Sequence, residues 1–373
     1  MPEKKPNKPG KSPSTRIQSF AAATGAYETW LADQLTLVPA DLREKHGQMR
    51  LTALGFLRAT FYRWAQLWPI HCAELTDAPR VLVVGDLHIE NFGSWRDLEG
   101  RLVWGVNDFD EACQAPYAQD LVRLAASALL SVREGVLPIS ADEVCPAILK
   151  GYAAALKAGG RPFVLGEDND WLRDLAIADL RSPERFAHKL HALTEPSYSV
   201  SRKLRAALAE RMPQAGLKIE LKHRVAGLGS LGRQRVVALA QWYGGLVARE
   251  AKPLTTSAWI WAGGDSPRRV AYDQIIDRAD RCPDPYARLA GRWIIRRLAA
   301  DSSSIEIDRL PRAKGRKLLN AMGRETANIH LGGARKPILR DLKARPDDWL
   351  EKAAQRMVEA TLADWEAWKA RVG

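Results

Sequence analysis

The chain has 373 residues, is 46% hydrophobic and carries a formal net charge of +12, so it can bury a large core and its length suggests two lobes or domains. Its four cysteines, Cys72, Cys113, Cys145 and Cys282, lie far apart without C-x-x-C spacing, which signals neither a zinc site nor a disulfide framework. No apolar run approaches the ~20 residues of a membrane helix, and the N-terminus lacks the hydrophobic stretch of a signal peptide, so a reducing cytoplasm is the expected compartment.

Residues 1–16 set Lys4, Lys5, Lys8, Lys11 and Arg16 against Glu3 among prolines and read as a disordered basic tail. The rest of the positive charge is spread through Arg-rich helices and suits nucleic acid, anionic substrates or plain solubility. No RNA-binding aromatic motif or zinc finger accompanies it, so nucleic-acid binding is not expected as the main function. The 13 tryptophans, scattered from Trp30 to Trp368, fit packed helices better than a stacking platform. Phe56-Leu57-Arg58 falls on an amphipathic helix, where Arg58 is either exposed or reaches an acidic cluster or a substrate phosphate.

Val81-Leu82-Val83-Val84 is an apolar, mostly β-branched run that predicts a buried strand delivering Gly85 and Asp86 to its carboxyl end. Phe92 to Trp95 and Leu102 to Val106 predict two strands joined by a turn at residues 96–100, which would carry Asp108 back beside Asp86 and Asn91. Phosphoryl transfer needs a carboxylate to orient the acceptor hydroxyl, and an amide oxygen plus a second carboxylate to hold Mg²⁺ on the phosphates. Asp86, Asn91 and Asp108 fit those roles in that order. Asp110 and Glu111 either extend the metal cluster or are solvated, and His88 reads as a structural loop histidine. Val-Val-Gly-Asp-Leu-His also fits the opening of a dinuclear metallophosphoesterase site. That site needs a later G-N-H-[D/E], and His46, His71, His188, His191, His223 and His330 all lie in other contexts.

Leu121, Leu124, Ala125, Ala128, Leu129 and Val132 are spaced as one helix face, with Asp120 as its cap. Downstream, Leu217, Ile219 and Leu221 alternate as in a half-buried strand, and the loop Gly227-Leu228-Gly229-Ser230-Leu231-Gly232 follows. Arg235 to Ala240 and Leu246 to Glu250 predict a hairpin about Tyr243-Gly244-Gly245, so the loop joins strand to strand. A dinucleotide-binding fingerprint needs strand, loop, then helix; it would require Val236 to Trp242 to be helical, with Glu250 as its ribose-binding acid. A plain hairpin with flexible glycines is a further reading. Beyond these lie a helix over Tyr272 to Ala279, a strand over Trp293 to Leu298 and a helix over Lys317 to His330. The last helix carries the apolar stripe Trp349, Ala353, Met357, Ala360, Thr361, Trp365 and Trp368, which is core.

The run GD-x-H-x-x-N, a hairpin, then N-D-F resembles the catalytic core of the protein kinase-like superfamily in its aminoglycoside and choline phosphotransferase branch, and is similar to the uncharacterised family DUF2252. The resemblance implies Asp86 as catalytic base, Asn91 and Asp108 on metal with Asp110 beside them, and Asp120 as the brace of the catalytic loop, with ATP and Mg²⁺ as cofactors. It implies a glycine loop of Gly227, Gly229, Ser230 and Gly232 over the nucleotide phosphates. A cation on the third strand follows, either Arg249, favoured by register, or Lys252, with Asp273 or Asp277 as its partner acid. His88 and Arg58 would support the site.

In an ordinary kinase the glycine loop precedes the catalytic loop, whereas here it follows. Treated as a circle the segments run in kinase order, so the resemblance implies a circular permutation, which leaves packed contacts intact when the old termini are close. The expected architecture is α+β and two-lobed: a helical catalytic lobe over residues 17–215, an antiparallel β nucleotide lobe over 216–308, and helices over 309–373 completing the first lobe. The expected activity is ATP- and Mg²⁺-dependent phosphoryl transfer to a hydroxyl of a small-molecule acceptor. Transfer of a nucleotidyl (AMP) group and a catalytically weak pseudokinase are the alternatives.

Overall fold

The computed structural model describes residues 18–178, 182–264, 270–302, 307 and 310–372. The expected basic tail, 1–16, lies outside the described residues. The chain opens with four helices, α1 (Phe20–Gln34), α2 (Pro39–Gln48), α3 (Ala53–Ala59) and α4 (Phe61–His71). Ser19 and Thr52 start α1 and α3 by accepting the N–H groups of Ala22 and Gly55 on their side-chain oxygens.

The chain continues through β1 (Arg80–Val83), β2 (Phe92–Arg96), β3 (Leu102–Val106) and β4 (Cys113–Pro116). β1 pairs antiparallel with β4, and β2 with β3 as a hairpin in which Phe92 lies opposite Val106. These are the strand that the apolar, β-branched run predicts and the hairpin that its turn residues predict. The short β5 (Phe163–Val164) adds a third strand to that hairpin.

Helix α5 (Ala118–Arg133) departs from the one-faced helix expected of it. It runs through the middle of the molecule, packed by α3, α6 (Ala141–Ala158), α13 (Arg312–His330) and α15 (Trp349–Val372). Even Gln119, Asp120, Arg123, Ser127 and Ser131 are buried on it. Four further helices, α7 (Leu165–Asp168), α8 (Asp170–Ala178), α9 (Pro183–His191) and α10 (Arg202–Glu210), lead to a third sheet.

That sheet is antiparallel, in the order β6 (Glu220–His223), β7 (Val236–Trp242), β8 (Gly245–Pro253), β10 (Trp293–Leu298), β9 (Arg288–Ala290). Tyr243 and Gly244 both have positive φ, 46° and 80°, the pair a type I′ hairpin turn requires between β7 and β8. Residues 236–242 are therefore strand, which removes the dinucleotide-fingerprint reading. The two-residue period sends Val236, Ala238 and Ala240 to a face covered by Leu204 and Leu208 of α10. Val237 and Leu239 go to the other face, against Leu190 of α9.

Helices α11 (Ala258–Ala262) and α12 (Tyr272–Arg278) follow β8, and α13, α14 (Arg335–Ala344) and α15 complete the chain. Along α15, Trp349, Ala353, Met357, Thr361 and Trp368 are buried, while Ala360 and Trp365 are half-buried against the same core. Cys72, Cys113 and Cys145 are buried free thiols and Cys282 is a half-buried one. Among the described residues no helix is long and apolar enough to cross a membrane.

Candidate active site

The loop after β1 is held from α5. Asp120 accepts the N–H groups of Val84 at 2.7 Å and Gly85 at 3.0 Å, and Gln119 donates to the Gly85 carbonyl at 2.8 Å. His330 Nε2 lies 3.1 Å from the Asp120 carboxylate, and the Tyr152 hydroxyl 2.8 Å from His330 Nδ1. Asp120 thus sits in the first turn of α5 and spends its oxygens on the loop, not on capping its own helix, whose N-cap is Tyr117. Gly85 has φ +83°, and a Cβ there would lie 2.3 Å from the Glu111 carbonyl oxygen, so glycine alone fits.

This bracing aims Asp86 at Arg123 of α5. Asp86 Oδ1 accepts from Arg123 Nε at 2.8 Å and also from Nη2, which donates in addition to the Leu57 carbonyl. The guanidinium is fully buried, with its centre 4.9 Å from the ring centroids of Phe61 and Trp64. Burial raises the Asp86 carboxyl above its ordinary range, and Arg123 opposes that rise. Asp86 Oδ2 faces the glycine loop: a Cβ on Gly229 would be 3.4 Å from it.

Asn91 is the staple of the site. Its Nδ2 donates to the carbonyls of Asp86 at 3.2 Å and Asp108 at 3.0 Å, while its Oδ1 accepts the Asp108 N–H at 2.9 Å. One lone pair of that amide oxygen is therefore committed to backbone. Asp108 Oδ2 and Asp110 Oδ2 each lie 2.6 Å from Lys252 Nζ, and Asp110 N–H donates to Asp108 Oδ1 at 3.0 Å. Burial alone would lift Asp108, but the Lys252 ammonium carries it well below the usual carboxylate range. Burial and the Asp108 charge push Asp110 up to about 7.

The loop over these groups contains a 3-10 turn, Leu228–Ser230, flanked by Gly227 and Gly232 in the left-handed region. Lys45 Nζ donates to the Gly229 carbonyl at 3.1 Å, and Val38 N–H to that of Gly232 at 2.7 Å, so α2 ties the loop down. Ser230 Oγ accepts from Arg235 at 2.6 Å.

Two expectations about the strand cation are corrected. Arg249 and Lys252 do lie on opposite faces of β8, and it is Lys252 that enters the site. Arg249 instead donates from Nε to the Arg211 carbonyl at 2.8 Å, with its guanidinium 5.0 Å from the Tyr286 ring centroid. The partner acids of Lys252 are Asp108 and Asp110, where α12 was expected to supply Asp273 or Asp277. Arg58 lines the cavity in an ion pair with Glu90. His88 is buried, and that burial holds its pKa well below the ordinary value. Glu111 is buried, not solvated, and accepts the Ala258 N–H at 2.6 Å.

Asp86, Asn91, Asp108, Asp110 and the glycine loop line one cavity of 320 Å³, the size of a small-molecule site. Asp108, Asp110 and the free lone pair of Asn91 are all hard oxygen donors, and Asp110 Oδ1 is buried without a hydrogen-bond partner. That donor set fits Mg²⁺, which keeps several waters or phosphate oxygens and needs only one or two carboxylates. Among the described residues no three His, Cys, Asp or Glu side chains form a ready-made metal cage. Sequence reasoning missed Arg123, Lys45 and the arginines at 224, 235 and 296. Of these only Arg296, inside the apolar strand Trp293–Leu298, carried a signal in the sequence; Lys45 lies on a polar helix, and Arg224 and Arg235 lie just outside their strands.

No curated protein and no solved structure gives a significant match to the chain. Residues 37–214, from the start of α2 to just past α10, match the family described as "Uncharacterized protein conserved in bacteria (DUF2252)". The match contains Asp86, Asn91, Asp108, Asp110, Asp120 and Arg123, and ends before the glycine loop and Lys252.

Proposed function

We propose that this protein is an ATP- and Mg²⁺-dependent phosphotransferase of kinase-like, circularly permuted fold, acting on a hydroxyl of a small-molecule acceptor. One observation carries the reading: Asp86, stapled by Asn91 to Asp108, lies beneath a glycine loop between antiparallel strands, with Lys252 on Asp108. The chain order, catalytic loop before glycine loop, is the permuted one. The antiparallel sheet β6–β10 lies within the expected nucleotide lobe, 216–308, and the helices on either side in sequence pack together as α6 with α13 and α5 with α15.

In this reading Asp86 Oδ2 orients the acceptor hydroxyl and takes its proton. The hydroxyl oxygen bonds to the γ-phosphorus as the bond to the β-bridging oxygen breaks, and ADP leaves with that electron pair. Lys252 and the N–H groups of the Gly227–Gly232 loop hold the phosphates. Asp108, Asp110 and Asn91 would hold Mg²⁺, which supplies charge neutralisation on the phosphates. Arg123 anchors Oδ1, so that one carboxylate oxygen alone faces substrate.

Incubation with ATP labelled at the γ or the α position, across a panel of hydroxyl-bearing metabolites, tests this. Movement of the γ label to a small molecule, dependent on Mg²⁺ and lost in Asp108→Asn, is expected. Movement of the α label onto protein would replace the reading by nucleotidyl transfer. Mg²⁺-ATP binding with neither label moving would replace it by a pseudokinase.

A further inference from the structure

On the sheet side of the cavity a single buried carboxylate gathers three guanidiniums. Glu250 of β8 has no exposed surface. Its Oε1 accepts from Arg235 Nη1 at 2.9 Å and from Arg296 Nη2 at 2.9 Å, and its Oε2 accepts from Arg224. The strand register builds the cluster: Arg296 on β10 is directly opposite Glu250, Arg224 follows β6 and Arg235 precedes β7. Burial would raise the Glu250 carboxyl, but the arginines hold it well below its ordinary range.

A structural ion pair needs one arginine per carboxylate. Here three cations share one acid, and they are not equally enclosed. Arg235 is buried and reaches Ser230 Oγ of the glycine loop at 2.6 Å. The side chains of Arg224 and Arg296 keep 23% and 30% of their surface, and both line the cavity. Asp108 and Asp110, at the other side of the cavity, are taken up by Lys252. Guanidiniums crowded on one carboxylate repel each other until an anion enters. Their planar forks match phosphate oxygens two at a time.

We infer that Glu250 and its arginines are a polyphosphate grip: Glu250 holds the forks of Arg224 and Arg296 toward the cavity, where they bind the phosphate chain of a nucleoside triphosphate. Arg235 couples this grip to the glycine loop through Ser230. The identity of the ligand rests on the nucleotide reading of the cavity, whereas the grip itself needs only a phosphate chain.

Calorimetric titration with tripolyphosphate, ATP and adenosine tests it. Wild-type protein should bind tripolyphosphate. Arg224→Gln and Arg296→Gln should each weaken tripolyphosphate and ATP about tenfold or more, the loss of a charge-assisted hydrogen bond, and leave adenosine unaffected. Arg249→Gln, on the far face of the sheet, should bind like wild type. Should the glutamine variants fail to fold, Arg224→Lys and Arg296→Lys keep the charge but lose the fork, and they too should bind more weakly. A wild-type protein that ignores tripolyphosphate, or arginine variants that bind it with full affinity, would overturn the grip. Phosphate transfer that persists in variants with undiminished tripolyphosphate binding removes the grip and keeps the transferase. Tripolyphosphate binding that depends on both arginines, in a protein that transfers no label, removes the transferase and keeps the grip.

Discussion

Arg123 Nε lies 2.8 Å from Asp86 Oδ1, and the Arg123 side chain is wholly enclosed. The carboxylate beneath the glycine loop is therefore half of a buried ion pair as well as the group that faces the cavity. Its two oxygens divide these tasks, Oδ1 toward Arg123 and Oδ2 toward Gly229. Chemistry and folding are consequently entangled at this residue.

Substitutions at Asp86 should separate the two. Asp86→Ala strands the Arg123 guanidinium and should cost about 3–5 kcal/mol of stability, as breaking one side of a buried pair does. Asp86→Asn keeps an oxygen acceptor for Arg123 and should melt much nearer to wild type. Both should lose transfer, by roughly 10²–10⁴ if proton removal is the contribution. Melting curves and turnover measured on the same preparations check this. An Asp86→Asn protein with full turnover would eliminate Asp86 as the base.

The opposite faces of β8 give a second contrast. Lys252→Met removes the cation shared by Asp108 and Asp110, whereas Arg249→Met disturbs the Arg211 and Ala248 carbonyls and the Tyr286 ring, away from the cavity. Affinity for ATP should fall in the first and hold in the second. With Lys252 gone, the two carboxylates face each other uncompensated, so added Mg²⁺ should raise the melting temperature more in Lys252→Met than in wild type. Equal Mg²⁺ responses would place the metal elsewhere.

What could be read from the chain alone was local. The strand before Asp86, the hairpin returning Asp108, the strand at 293–298 and the strand on each side of the glycine loop all follow from short apolar or alternating runs bounded by turn residues. The choice between Arg249 and Lys252 was not legible. Alternation says that they point oppositely, and only the packing of β8 between β7 and β10, with α10 against one face, says which direction is the cavity. Arg123 was invisible for a related reason. Three polar residues of α5, Asp120, Arg123 and Ser127, look like a solvent face until helices arrive from far along the chain to bury them. The β1–β4 pairing and the two-residue β5 carry too little pattern of their own to be seen.

Glu325 on α13 should give stability a distinctive pH dependence. It is buried behind β3, where it accepts the Asn328 amide at 3.1 Å and the Val106 N–H at 3.4 Å. Burial pushes its pKa up from 4.5 to about 7, with Arg281 opposing. Between those values the folded state holds a proton that the unfolded state has released. The contribution is therefore complete below the unfolded value and is lost as pH rises through about 7, up to about 3 kcal/mol in all. Denaturant unfolding at pH 5 and pH 8 should show this loss in wild type. In Glu325→Gln the loss should shrink by that amount, whatever the baseline cost, leaving the part that Asp110, also pushed up to about 7, contributes in the same window. Parallel changes in the two proteins would show that Glu325 is not its source.

Lys45 sets how tightly the glycine loop closes over Asp86. Its ammonium is buried and donates to the Gly229 carbonyl at 3.1 Å, while Val38 N–H fixes the far end of the loop through Gly232. Because Gly229 lies beside Asp86 Oδ2, this tether sets how closely the loop approaches that carboxylate. Burial, reinforced by Arg233, lowers the Lys45 pKa to about 8. Folded protein thus sheds this proton before unfolded protein does, and the charge-assisted bond weakens as pH passes through about 8. Hydrogen exchange of the Leu228–Leu231 amides should accelerate across that pH beyond the ordinary base-catalysed increase. Lys45→Met should exchange faster at pH 7 and show no such extra acceleration. Its overall stability should change little, since the substitution removes a buried charge and keeps the apolar stem. Affinity for ATP should drop roughly fivefold, corresponding to about one hydrogen bond of loop tethering. Unaltered loop exchange in Lys45→Met would mean that Val38 and the Leu37–Arg233 bridge hold the loop without it.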